Sequence, residues 1–177
     1  MSKITLYEKP DFTGEDQDFV DNILDLTVRK FDNTARSIRV IGQHWVAYAG
    51  KNFTGAFKVL GPGDHAYLGE LDQKILSLRL VKEDLKNPEI VLYEHVNYNG
   101  QSRSIREATN DLRRAGFENL VSSHKVKEGV WILFQHANLC GERLITFEGN
   151  EWPNYCDFKW NDKLSSVKAL LKSDFEL

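Results

Sequence analysis

Tyr7-Glu-Lys-Pro-Asp-Phe12-Thr-Gly14 reads as an aromatic residue, three residues, an Asp, a large apolar residue, one spacer and a glycine. The same pattern returns as Tyr48-Ala-Gly-Lys-Asn-Phe53-Thr-Gly55, Tyr93-Glu-His-Val-Asn-Tyr98-Asn-Gly100 and Phe134-Gln-His-Ala-Asn-Leu139-Cys-Gly141. The four glycines are spaced 41, 45 and 41 residues apart. A serine follows each of them (Ser37, Ser77, Ser123 and Ser166) after 23, 22, 23 and 25 residues. Self-similarity at a fixed period marks a repeat architecture and takes precedence over any reading of single elements.

The copies alternate. The first and third enter through Ile4-Thr-Leu-Tyr7 and Ile90-Val-Leu-Tyr93, the second and fourth through Trp45-Val-Ala-Tyr48 and Trp131-Ile-Leu-Phe134. The longer middle spacing falls on Lys82-Glu-Asp-Leu-Lys-Asn-Pro88-Glu89, a charged stretch with a proline that interrupts the apolar pattern, as a linker does. The order ABAB predicts a duplicated two-motif domain, with a first domain at 1–82, a linker at 83–89 and a second domain at 90–177. Ser37-Ile-Arg-Val-Ile, Ser77-Leu-Arg-Leu-Val and Ser166-Val-Lys-Ala-Leu alternate with period two, the signature of strands. Each aromatic and the large residue five positions later bracket a hairpin, and the glycine suits a backbone that a Cβ disfavours. The later serine is suited to bonding the folded-over hairpin's backbone. A propeller shares the period, but its blades would not alternate in pairs around a linker, and its Gly-His and Trp-Asp signatures are missing.

Composition narrows the function classes. A net charge of −3 gives no basic footprint for nucleic acid. No apolar run approaches the roughly 20 residues of a membrane-spanning helix, and the N-terminal stretch Met1-Ser-Lys-Ile-Thr-Leu-Tyr7 lacks a signal-peptide core. With only Cys140 and Cys156 present, two free thiols in a reducing cytoplasm are expected. No Gly-x-Ser-x-Gly, His-Glu-x-x-His or phosphate-binding loop occurs, and the five histidines lack zinc spacing. His136 and Cys140 are better read as hairpin residues than as a nucleophile pair, and no catalytic residue is assigned. Trp152, Tyr155, Phe158 and Trp160 are read as packing of the fourth copy rather than a sugar platform.

Together, the hairpin, the later serine and the ABAB order resemble the βγ-crystallin family over essentially the whole chain. The resemblance implies an all-β protein of two domains, each a sandwich of two Greek-key motifs with two four-stranded sheets. Leu139 departs from the usual aromatic and removes a ring contact. Many members of this family carry Asn/Asp-Asn/Asp-x-x-Ser/Thr-Ser stretches that build two calcium sites per domain. Here Asn161-Asp162-Lys-Leu-Ser165-Ser166 matches in full, and Glu118-Asn119-Leu-Val-Ser122-Ser123 departs only at its first residue. Asp32-Asn33-Thr-Ala-Arg36-Ser37 and Asp72-Gln73-Lys-Ile-Leu76-Ser77 replace the hydroxyl by a cation and by an apolar group. The resemblance therefore implies Ca2+ in the second domain only. One site would use the carbonyls of Val96 and Asn119 with Ser165 Oγ, and the other the carbonyls of Ala137 and Asp162 with Ser122 Oγ. Ligands so short of carboxylates imply a modest affinity, roughly 10⁻⁵ to 10⁻³ M.

By the same resemblance, Val46, Val59 and Val81 pair with Ile132, Ile145 and Leu170 across a domain interface, within one chain or in a homodimer. Burial is worth about 1.5–3 kcal/mol for each fully covered side chain. With 14 Lys against 9 Arg, two Cys and one Met, the composition is that of non-lens vertebrate members rather than lens ones. The function expected is that of a non-enzymatic, calcium-binding structural or stress-related protein. The alternative is a recognition module for carbohydrate or a membrane-active partner, because some amphibian members are fused to aerolysin-like pore-forming domains.

Overall fold

The computed structural model describes residues 1–117 and 120–177. It divides into two compact units, one of residues 1–82 with 172–177 and the other of residues 83–171. Residues 172–177, placed by the repeat at the end of the second domain, thus belong to the first unit. No α-helix occurs among the described residues, and short 3-10 turns join the strands.

In the first unit the strands are β1 (Lys3–Lys9), β2 (Thr13–Phe19), β3 (Ser37–Ile41), β4 (Trp45–Tyr48), β5 (Phe57–Leu60), β6 (Gly63–His65) and β7 (Ser77–Leu80). They form a sheet of order β2-β1-β3-β6 and a second of order β5-β4-β7. Strand β6 comes from the second motif but pairs with β3 of the first, which is the exchange that makes a Greek key. Its counterpart from the first motif shrinks to one antiparallel bridge, Ile23 to Leu78, closed by two hydrogen bonds of 2.9 Å. The expected fourth strand of the second sheet is therefore a single residue. In Val20-Asp-Asn-Ile23-Leu-Asp25 the polar residues around Ile23 leave too little alternation for a longer strand.

The second unit repeats this plan with β8 (Glu89–His95), β9 (Asn99–Ile105), β10 (Ser123–Glu128), β11 (Val130–His136), β12 (Cys140–Phe147), β13 (Glu151–Trp152) and β14 (Ser166–Ala169). Its sheets run β9-β8-β10-β13 and β12-β11-β14, and Thr109 bridges Val167 where a fourth strand was expected. In each unit the inward residues of both sheets make one core. Ile4, Leu6, Ile38 and Val40 meet Trp45, Ala47, Leu60 and Leu78 in the first. Ile90, Leu92 and Val126 meet Trp131, Leu133, Leu144 and Val167 in the second.

The hairpin tips explain the repeated sequence. Asp11 and Phe12, Asn52 and Phe53, Asn97 and Tyr98, and Asn138 and Leu139 all have φ between 56° and 61°, in the left-handed region. Asn and Asp enter that region most easily among non-glycine residues, which accounts for their fixed place. A second left-handed residue in succession is strained, and the buried serine downstream holds it. Ser37 Oγ donates to Lys9 O at 2.7 Å and accepts from Phe12 N at 3.0 Å. Ser77, Ser123 and Ser166 repeat both bonds, donating at 2.6 Å to Gly50 O, His95 O and His136 O. All four serines are fully buried. Leu139 keeps the same bond to Ser166 Oγ at 3.0 Å, so losing its ring leaves the clamp intact.

Candidate functional site

Of the candidate metal ligands, Ser122, Asp162 and Ser165 lie in the loops that lead into the clamp serines, and Val96 and Ala137 lie on the hairpins. In the first unit the two loops of a domain abut each other. Asn33 N donates to Ile75 O at 3.2 Å and Gln73 N donates to Ala35 O at 3.0 Å, so the second residue of each stretch meets the fourth of its partner. These second residues are left-handed (φ 52° at Asn33, 56° at Gln73 and 57° at Asp162). Asn119, the remaining one, lies outside the described residues.

Arg36 shows what occupies this place in the first unit. Its Nε lies 3.5 Å from Asp72 Oδ1, and both side chains are half-exposed. They share a pocket with Pro10 and Asp11 of the first hairpin and with Tyr67, Leu68 and Gly69 of the second motif. A fixed guanidinium thus sits against the hairpin of its own motif and answers the partner motif's carboxylate. At the equivalent point of the second motif Leu76 offers no oxygen beyond its backbone.

In the second unit Ser165 takes the position of Leu76, and Ser122 that of Arg36. Ser165 lines a pocket with His136, Ala137 and Leu164 of its own motif and with Asp111, Leu112, Arg113 and Phe117 of the preceding one. Ala137 and Ser165 therefore line one pocket. The cause is local. Ser165 N donates to Phe134 O at 3.0 Å and Ser122 N donates to Tyr93 O at 2.9 Å, which ties each loop to the base of its own hairpin. Val96 lies on the hairpin of the motif that carries Ser122. Ser123 and Ser166 hold the hairpins, and the Ser122 and Ser165 side chains that precede them are half-buried. Val96 O already accepts from Asn99 Nδ2 at 3.1 Å. The exposed Asp162 carboxylate accepts from Asn161 Nδ2 at 2.8 Å.

Asp111 and Arg113 were not foreseen. Asp111 caps a 3-10 turn by accepting from Arg113 N at 3.0 Å, and its carboxylate takes Arg113 Nε at 2.9 Å and a terminal nitrogen at 2.7 Å. That side-chain bond, foremost, holds the Asp111 carboxyl below its ordinary range. A readable signal existed, because Asp25, Asp111 and Asn154 each stand twelve residues before a clamp serine and each cap such a turn. Among the described residues no group of three or more His, Cys, Asp or Glu side chains could hold a metal. A hard cation would be met here by carbonyl and hydroxyl oxygens.

Of the residues expected at a domain interface, Val46 faces Val59 across β4 and β5, and Ile132 faces Ile145 across β11 and β12. They project from the strand faces opposite Trp45, Ala47, Trp131 and Leu133, which fill the cores. Val46, Val59, Val81, Ile132 and Leu170 are buried and Ile145 is half-buried. The fourth-copy aromatics divide, with Tyr155 and Trp160 buried, Trp152 packed on the core and Phe158 half-exposed.

A family model described as Beta/Gamma crystallin matches residues 3–81 and again residues 89–170. The chain belongs to the βγ-crystallin family. This βγ-crystallin is similar, at 33% identity over 170 residues, to the epidermal differentiation-specific protein of Cynops pyrrhogaster, covering 96% of this chain and 50% of that one. It is 27% identical to the human beta/gamma crystallin domain-containing protein 1, covering 97% of this chain and 8% of that one. The chain thus spans about half the length of the Cynops relative and a small part of the human one. Among solved structures, a βγ-crystallin from Ciona intestinalis is 30% identical with a TM-score of 0.44, covering 46% of this chain and 99% of that one. Among the described residues of this βγ-crystallin no helix is long and apolar enough to cross a membrane.

Proposed function

We propose that this βγ-crystallin is a non-enzymatic structural protein whose second domain binds calcium and whose first domain does not. The observation that carries the reading is the contrast at one equivalent position. At the fifth place of each stretch the first domain carries the permanent charge of Arg36 and the apolar Leu76, whereas the second domain carries the hydroxyls of Ser122 and Ser165, the latter beside Ala137. One site would draw on Ser165 Oγ and the Ala137 carbonyl with the partner loop's Asn119, and the other on Ser122 Oγ and the Val96 carbonyl with Asp162. Calcium bound there would neutralise converging oxygen dipoles and brace two loops of one domain. At a hundredfold excess over its dissociation constant, a ligand that binds only the folded state stabilises it by about 2.7 kcal/mol.

Arg113 tempers this binding. Its guanidinium lines the Ser165 pocket and engages the Asp111 carboxylate there, so the pair brings no net negative charge to a cation. That agrees with the modest affinity expected from the ligand types. Calorimetric titration with calcium tests the proposal. Heat of binding is expected for the wild type, a reduced number of sites for Ser165→Arg, and no binding for Ser122→Arg combined with Ser165→Arg. Unchanged heat in the double variant would place calcium elsewhere and sink the assignment.

A further inference from the structure

Residues 172–177 follow the second unit in sequence yet pack with the first. They run as an added strand along the outer edge of β5. Val59 N donates to Leu177 O at 2.7 Å, Leu177 N to Val59 O at 3.0 Å and Gly61 N to Phe175 O at 2.7 Å, with Leu60 bridged to Glu176. The edge is shaped for this occupant. A Cβ at Gly61 would lie 2.5 Å from Asp174 O, and one at Gly63 would lie 2.7 Å from the Phe175 ring. The Phe175 ring stacks on buried His65 at 4.3 Å and 16°, His44 Nε2 donates to Asp174 O at 2.6 Å, and Lys58 pairs with Glu176. Backbone bonds plus a slot for alternate side chains is how a sheet edge recognises an extended peptide.

We propose that this edge is a strand-exchange site through which two copies of the chain associate, the segment Asp174–Leu177 of each filling the edge of the other. The occupant is identified by fit, since the glycine cradle, the His65 platform and Lys58 match an Asp-Phe-Glu-Leu segment that every copy carries. Reciprocal exchange reproduces each bond and closes as a two-fold pair, with no partner left over. It also keeps the edge of β5 covered against indiscriminate pairing. Within one chain the segment competes for its own edge at an effective concentration on the order of millimolar. Wild-type protein therefore exchanges only as its concentration approaches roughly that value.

Complementation separates exchange from its absence. Gly61→Ala closes the edge but keeps the segment, and the residue's φ is not among the positive ones, so the added methyl acts by its clash alone. Phe175→Ala keeps the edge and weakens the segment. By sedimentation at roughly 100–500 µM, each variant alone is expected to be a monomer and the equimolar mixture to form a one-to-one heterodimer. Lys58→Glu mixed with Glu176→Lys provides a second pair on side chains that reach the surface, and exchange restores both opposite-charge contacts. Monomers in both mixtures, or dimers as abundant in the single variants as in the mixtures, would overturn the proposal.

Discussion

Acidification should begin to destabilise the second domain through His124 above the pH at which carboxylates titrate. The imidazole is fully buried on β10, its Nδ1 2.5 Å from Tyr155 Oη and its Nε2 3.0 Å from Thr146 Oγ1, with Trp152 stacked at 5.6 Å. Burial lowers its pKa from 6.5 to about 3. Burial also keeps the Tyr155 hydroxyl protonated, so no anion offsets an imidazolium. The unfolded chain takes up a proton near pH 6.5 and the folded one does not until about pH 3. The neutral ring's contribution is therefore complete above the unfolded value and is lost as pH falls towards the folded one. At about 1.4 kcal/mol per pH unit, the loss reaches about 2 kcal/mol by pH 5 and about 5 kcal/mol near pH 3. Urea unfolding at pH 7.5, 6 and 5, with amide exchange on β10 reporting the second domain, measures it. His124→Phe, less stable at pH 7.5 because Tyr155 and Thr146 lose their partner, should lack the loss between pH 6.5 and 5. His65 in the first domain is also lowered by burial and needs its own exchange reporter there. Wild-type β10 protection as insensitive to pH as the variant's would refute the argument.

Two further outcomes follow from the clamp and the pocket. Ser123→Ala removes a buried hydroxyl that serves both His95 O and Tyr98 N, and it should cost about 2–4 kcal/mol in chemical unfolding, each stranded group contributing about 1–3 kcal/mol before water reaches the hairpin tip. Arg113→Gln frees the Asp111 carboxylate and should tighten calcium binding by calorimetry several-fold, since a carboxylate added to an oxygen site raises affinity.

The repeat carried most of the fold. Four glycines and four serines in register place the hairpins, and the structure explains the register by one bond pattern repeated four times. What escaped the reading was interaction between segments far apart in sequence. The tie of each loop to the base of its own hairpin, Ser165 N to Phe134 O and Ser122 N to Tyr93 O, is a backbone bond that residue spacing does not display. Gly61-Pro62-Gly63 reads as an ordinary turn, because the strand that needs its missing side chains lies more than a hundred residues away. Phe175-Glu-Leu177 alternates correctly for a strand but is too short to register as one. Asp111 and Arg113 hid in a turn whose capping residue recurs in three copies and can be seen only by counting back from the serine.

Anomalous diffraction from a crystal grown in excess calcium reads the asymmetry between the domains directly. The expected map carries a calcium peak beside Ser165 and Ala137 and another beside Ser122 and Val96, with none next to Arg36 or Leu76. A peak in the first domain, or an empty second domain, would contradict it.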